Sequence, residues 1–238
     1  MPNALDWSIL WRPPYGEQVA DAILLTFQIA ALSWVLAMLL GTLVGLARES
    51  PLAPVRALAG AHVELFRNIP VLVQLFFIYY VLPRLLPPAL RRELFDLGWE
   101  MVAAVLALSL YSSAKIAEHV RAGLNTVSRQ VKQGALATGL TWWQAQRHVV
   151  LPLLLRVIAP SLTSEFVTIF KGSSLAMTVG VTETAYVTQE IGSDTFHWIE
   201  ANSLGTLVYL TCAWVIAAAM SLIERWTFVP GLMRRERG

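Results

Sequence analysis

Lys171 is the residue with the most chemistry to offer. It stands in Lys171-Gly172-Ser173-Ser174, near the end of an apolar run and beyond the middle of it. An ammonium followed by open backbone amides and two hydroxyls suits a carboxylate, which needs both charge and several donors. A lysine stem can equally carry its charge out to lipid headgroups, so both readings stand on the residues alone. Glu165 lies six residues earlier, about 600° around a helix and so well off the face of Lys171. It is not expected to neutralise Lys171 within one helix. It can pair with Arg156 or with another span, or meet a substrate amine.

Arg67-Asn68-Ile69-Pro70 opens a second apolar run. Pro70 has no backbone N–H, which leaves a carbonyl one turn earlier, near Glu64–Phe66, without its helical donor. Broken helices at membrane depth are where transporters place their sites, although such residues also serve as plain interface anchors. Glu118 and Arg121, at i and i+3, predict an ion pair along one helix. Lys115 and His119 read as side chains that snorkel rather than as a proton relay.

Catalytic constellations are missing. His62, His119, His148 and His197 show no metal spacing. Neither Gly-x4-Gly-Lys-Ser/Thr nor Gly-x-Ser-x-Gly occurs. The expectation is a chain that is no enzyme, holds no metal and carries no cofactor of its own. Cys212 is the single cysteine and is expected only to pack.

The elements that must position these residues follow from composition. The chain has 238 residues, 56% hydrophobic and 14% charged, against roughly 25% charged in soluble domains. Apolar stretches approach the ~20 residues that cross a bilayer core. The expected fold is an all-α integral membrane protein with five transmembrane helices, at about 19–46, 60–82, 97–120, 153–175 and 204–226. The first span is longer than a crossing needs, which predicts tilting or a kink near Gly41 and Gly45. Pro83 to Asp96 reads as a polar hairpin, and 176–200 as an external or re-entrant stretch. Residues 1–18 read as an amphipathic arm with Trp7 and Trp11 at headgroup level, without a cleavable signal peptide. A net charge of +2 points to no nucleic acid. Twelve basic residues fall on the side of the long 121–152 loop and the 229–238 tail, against Arg12, Arg84, Arg91 and Arg92 on the other. The asymmetry puts that loop and the C-terminus in the cytoplasm and the N-terminus, with its arm, outside.

Within that loop, Gln133 to Pro152 is too polar to span and too apolar for a free loop. Leu136, Leu140 and Trp143 recur at i, i+4 and i+7, and Gly139 interrupts the helix they imply. Two short amphipathic helices either rest at the membrane surface or dock into another protein.

This segment resembles the cytoplasmic coupling loop of ABC-importer permeases, whose pattern is Glu-Ala-Ala, three residues, Gly, nine residues, Ile-x-Leu-Pro. Gln133, Gly134 and Ala135 stand for the triplet, Gly139 is in register, and Val149, Leu151 and Pro152 close the motif. Val63-Glu-Leu-Phe-Arg67-Asn68-Ile-Pro70-Val-Leu-Val-Gln74 and Glu118-His-Val-Arg121-Ala-Gly123 are similar to further signatures of polar amino-acid permeases. So is Arg156…Pro160…Lys171-Gly-Ser173-Ser174-Leu175, with Gly172 replacing an acidic or amide residue. The details look most like the glutamate/aspartate importer permeases.

The resemblance covers residues 19–228. It implies a type I ABC importer permease fold with cytoplasmic coupling helices, in the bacterial inner membrane. It implies a cytoplasmic ABC ATPase dimer that holds ATP and Mg, a homologous sister permease and a periplasmic amino-acid-binding protein as partners. Lys171, Ser173 and Ser174 would bind substrate, with Arg67 and Asn68 near the pathway. Gln133, Gly134, Ala135, Leu136, Gly139, Leu140, Trp143, Leu151 and Pro152 would couple to the ATPase. An ion-coupled symporter and a non-transporting membrane scaffold are the alternatives, and five spans without an inverted repeat weigh against the symporter.

Overall fold

The computed structural model describes residues 5–126 and 129–227. Among these residues the chain is helical throughout: α1 (Tyr15–Ala47), α2 (Ala53–Asn68), α3 (Val71–Phe76), α4 (Pro88–Asp96), α5 (Trp99–Thr126), α6 (Arg129–Ala137), α7 (Trp142–Ala145), α8 (Leu151–Gly172), α9 (Thr184–Thr195) and α10 (Trp198–Thr227). Four stretches are long and apolar enough to cross a membrane, within 15–47, 99–126, 143–179 and 198–222. The bent pair Ala53–Asn68 and Val71–Leu85 makes a fifth if taken as one span. The helix of the expected second span is thus broken at Pro70, as its sequence suggests.

α5 is the central helix and packs against α1, α2, α3 and α8. Its neighbour α1 turns small residues towards the bundle: Thr26, Ala30, Ser33, Ala37, Gly41 and Gly45 are buried at steps of three and four. Leu24, Leu32, Leu39 and Leu43 stay exposed on the other side, as suits a face towards lipid. Ser109 donates to the Ser33 carbonyl at 3.2 Å across the contact. Gly41 and Gly45 do not kink α1, which runs unbroken. They let it lie directly on α5: a Cβ at Gly41 would stand 2.6 Å from Ile116 Cβ and 2.8 Å from the Ser113 carbonyl. The backbone oxygen cannot swing aside, so Gly41→Ala is expected to prise α1 from α5. The cost is about 1–3 kcal/mol of overpacking, read as a lower melting temperature in detergent. An unchanged melt would mean that the two helices do not meet there.

Three further expectations change. The 83–96 stretch is not a hairpin alone, because Pro88 opens α4, the position at which proline's fixed φ favours a helix. α5 continues to Thr126, six residues past the expected end at 120, because Val120 and Leu124 pack with Leu154 and Ile158. The 176–200 stretch is not loose. A 3-10 turn, Ser173–Val179, ends at Gly180 with φ +91, and α9 then packs on α1 and α10.

The arm before α1 forms a 3-10 turn, Trp7–Trp11, with Ile9 and Leu10 buried and Trp7 and Trp11 exposed. Asp6 caps it, and the hydrogen bonds from Ser8 hold its carboxyl below the usual carboxylate range. The Asp6 amide donates to Glu200, which ties the arm to the start of α10.

Candidate functional site

The break between α2 and α3 is sharp, 105°. The carbonyl of Phe66, which a residue other than Pro70 would have served, accepts instead from Gln74 Nε2 at 2.8 Å. The same nitrogen serves the Ile69 carbonyl at 2.8 Å. One buried amide therefore serves two of the carbonyls at the break. Of the residues flanking the break, Asn68 donates to Glu64. Arg67 is exposed and reaches Glu118 on α5 at 3.8 Å.

Glu118 does not pair with Arg121 as their spacing suggests. Its Oε1 takes Arg48 from the end of α1 as well as Arg67. Arg121 turns to Glu49 at 3.3 Å. Three helices, α1, α2 and α5, are joined at this level.

α5 and α8 run antiparallel. Gly123 lies against Leu154 and Ile158, and Gly172 against Leu108. Between these contacts, Lys115 meets Glu165 at 3.7 Å and His119 meets it at 3.9 Å. Both distances exceed a hydrogen bond. Lys115 also lies over the Tyr111 ring at 4.6 Å, a cation–π contact. Glu165 is 8% exposed, and its Oε2 has no partner among the described residues. Across the groove His62 on α2 shares a hydrogen bond with Ser113 at 2.9 Å.

Lys115 and His119 therefore do not snorkel, and Glu165 pairs with another helix rather than with Arg156. Sequence reasoning read Lys115 and His119 as snorkelling and left them out of the site. The available signal was Tyr111, Lys115 and His119 at steps of four, a polar stripe inside an apolar span.

Lys171 lies about 9 Å further along α8 than Glu165, at 1.5 Å per residue. It is exposed and makes no ion pair among the described residues. Phe170 beside it is wedged between Phe27 and Tyr209, with ring centroids at 5.1 and 5.6 Å, which fixes the outward aim of Lys171. Arg156, Pro160, Ser164, Thr168 and Lys171 are all exposed and form one line along α8. That line is polar where the exposed faces of α1 and α10 carry leucines.

The amides after Lys171 are not open. The N–H of Ser173 donates to the Ile169 and Phe170 carbonyls. Ser173 is fully buried, its hydroxyl donating to Phe170, and the Ser174 hydroxyl donates to the Lys171 carbonyl. Lys171 and Arg67 stand at different depths, level with Leu108 and Glu118 of α5 respectively.

At the far end of α8 the 133–152 segment folds as a small helical hairpin. α6 ends where the Gly139 amide donates back to Leu136 at 3.0 Å, and Gly139 has φ +87. That left-handed conformation favours glycine. Thr141 and Gln144 then cap each other reciprocally, opening α7. A π-helical turn, Gln146–Val150, leads into Leu151. Ala135 and Ala145 are buried, while Gln133, Gly134, Leu136, Gly139, Trp143, Leu151 and Pro152 are exposed and Leu140 is half-buried. Because Gly139 breaks the helix, Leu136, Leu140 and Trp143 do not share one continuous helical face. Leu136 projects from α6, Trp143 from α7 and Leu140 from the turn between them.

The chain is similar to known proteins over nearly its whole length. The family model described as "Binding-protein-dependent transport system inner membrane component" matches residues 35–229. The glutamate/aspartate import permease protein GltJ of Escherichia coli (strain K12) is 33% identical over 242 residues, covering 97% of this chain and 98% of that one. The glutamine transport system permease protein GlnP of the same strain is 30% identical, covering 92% and 96%. Among solved structures, an amino acid ABC transporter crystallised with histidines superposes with a TM-score of 0.79 at 26% identity, over 94% of this chain and 100% of that chain.

Proposed function

Because the chain belongs to the family of binding-protein-dependent transport system inner-membrane components, we propose that it is the permease subunit of an ATP-driven importer of acidic amino acids. It pairs with a homologous sister permease, and the polar line on α8 faces the substrate path between them. A binding protein delivers the amino acid from outside. A separate ATPase dimer, which holds ATP and Mg, grips the 133–152 hairpin on the cytoplasmic side and swings the spans.

The observation that carries the reading is the hairpin itself. It is folded, glycine-turned and tipped with an exposed tryptophan, 76% accessible, at the foot of the helix that bears Lys171. Force applied at Trp143 reaches α8 through one short π-helical turn. The α8 line supports the pairing, because a charged side chain facing lipid at the bilayer centre costs roughly 2.5–3.5 kcal/mol, and a facing subunit with a wet path removes that cost. Lys171 then serves as the cation for the substrate carboxylate, with the Ser174 hydroxyl oxygen beside it. Ser173 supports the turn from behind, and Arg67 and Asn68 flank the path at the α2 break. The resemblance to GltJ supports an acidic substrate.

The test is reconstitution of the chain with its ATPase, binding protein and sister permease in liposomes, followed by ATP-dependent uptake of glutamate, glutamine and histidine. Lys171→Ala is expected to lower uptake at least tenfold while the ATPase still co-purifies. Uptake by this chain alone on an ion gradient would replace the reading with a symporter. Undiminished uptake by the Lys171→Ala complex would leave the chain a scaffold.

A further inference from the structure

We propose that the groove between the N-terminal arm and α10 binds one phospholipid, which lays an acyl chain along α10 and turns its ester oxygens towards Trp7 and Trp198. The inference goes beyond the importer reading and holds whichever amino acid is carried.

The groove has a volume of about 700 Å³, within the ~300–1,000 Å³ of small-molecule sites. The arm supplies Trp7, and α10 supplies Trp198, Ile199 and Leu207. Both sides are held in place. Ile9 and Leu10 are buried beneath the arm, and the Asp6 amide donates to Glu200 at 2.7 Å. The Trp198 ring lies on Gly192 of α9, where an added Cβ would stand 2.6 Å from it. The groove is therefore built into the fold.

Its lining selects the ligand. No Asp, Glu, Lys, Arg or His lines it, so a charged ligand finds no counter-ion there. Asn202 donates to the Trp198 carbonyl and Thr206 to the Asn202 carbonyl, both at 2.8 Å. Those donors are used within the helix itself. Indole, isoleucine and leucine surface is what remains, and it calls for an apolar ligand. The indole N–H groups of Trp7 and Trp198 have no acceptor among the described residues. An apolar ring with an unused N–H suits the level of lipid headgroups, where ester and phosphate oxygens accept.

Continuity then names the occupant. Leu207, Leu210, Trp214 and Val215 are all exposed and follow one face of α10, about 12 Å from first to last. Residues 201–223 contain no Asp, Glu, Lys, Arg or His. An uncharged face of this length suits hydrocarbon, and the groove opens onto it through Leu207. The face offered to the sister permease in the importer reading is the charged line of α8, which leaves this one to lipid.

The experiment takes the full chain, delipidated in detergent, and titrates it with dioleoyl phosphatidylethanolamine under native mass spectrometry. The wild type is expected to retain one phospholipid. Ser203→Phe places a ring in the groove and should weaken that binding about tenfold or more. Leu39→Phe adds the same ring to the exposed face of α1 and should change it less than about twofold. Where Ser203→Phe does not fold, Trp7→Ala, which removes the arm's side of the groove, is read the same way. A second arm uses the chain with its ATPase and sister permease in liposomes of the same lipid. A benzophenone is attached at Leu207→Cys on a Cys212→Ala background and irradiated. The expected adduct is phospholipid. No retained phospholipid in the wild type, unchanged retention in the groove variants, or an adduct to a polypeptide would overturn the assignment.

Discussion

Gly139→Asp is expected to abolish ATP-driven uptake while leaving the chain in the membrane. Two separate costs add. The first is conformational: at φ +87 an L-residue other than glycine pays about 1–2 kcal/mol, and aspartate is among the residues that pay least. That is too little to unfold a hairpin held by Ala135, Ala145 and the Thr141–Gln144 cap. The second cost decides the outcome. A Cβ at Gly139 meets nothing within 4 Å, so the new carboxylate projects from the hairpin's tip. In the proposed importer an ATPase covers that tip, and there the charge would have to be desolvated without a partner, at a penalty of several kcal/mol. At about 1.4 kcal/mol per tenfold, a 3 kcal/mol penalty weakens docking roughly a hundredfold. Gly139→Asn carries a similar conformational cost without charge and should retain most uptake. Gly139→Ala isolates strain and should lose only a few-fold. The measurements are uptake in proteoliposomes and the fraction of ATPase retained on purification. Equal uptake by the Asp and Asn variants would mean that no partner covers this surface.

The same segment shows what could be read without coordinates. The hairpin was legible because its signals are local: apolar residues at helical spacing, a glycine where a helix must stop, and proline at Pro152 in the first turn of α8. The spans α1, α5 and α10 were legible for the same reason, since uninterrupted apolar length is itself the signal. What failed needed knowledge of a third helix. Glu118 and Arg121 have the spacing of a pair, but Arg48 and Arg67 lie closer in space and Glu49 claims Arg121. Gly41 and Gly45 suggest a kink until Ile116 and Val120 are seen against them. Of the candidate site, Lys171 stood out as an ammonium beyond the middle of an apolar run, followed by Gly172, Ser173 and Ser174. Lys115 and His119 acquire meaning only from Glu165, which is fifty residues from Lys115 in sequence and on its facing helix. The Pro70 break lies between these cases: the proline announced the orphaned carbonyl, but not that Gln74 would fill it.

The largest expected loss of stability falls on a residue that neither the resemblance nor the motifs single out. Glu183 is completely buried where α9 meets α1 and α10. Thr26 and Tyr209, its neighbours, each lie eleven residues into their helices, about 17 Å from the helix starts. Its carboxylate accepts from the Ala185 and Tyr186 amides, both at 3.0 Å, and from the Tyr209 hydroxyl. Thr26 and Thr184 close the cluster through a 2.8 Å hydroxyl contact. Glu183→Ala removes the N-cap of α9, worth about 1 kcal/mol, and strands buried donors at about 1–3 kcal/mol apiece. Even with partial relaxation the loss should reach about 3–5 kcal/mol, a range that a broken buried hydrogen-bond network can produce. Glu183→Gln keeps an acceptor oxygen in nearly the same volume and should lose far less. Melting temperatures of the detergent-purified protein should therefore fall in the order wild type, Gln, Ala, with Ala far below the others. The same loosening should reach transport, because Tyr209 also braces Phe170, the ring that sets the aim of Lys171. An alanine variant that melts with the wild type would mean that α9 is not fastened by this carboxylate, and that the aim of Lys171 does not depend on it.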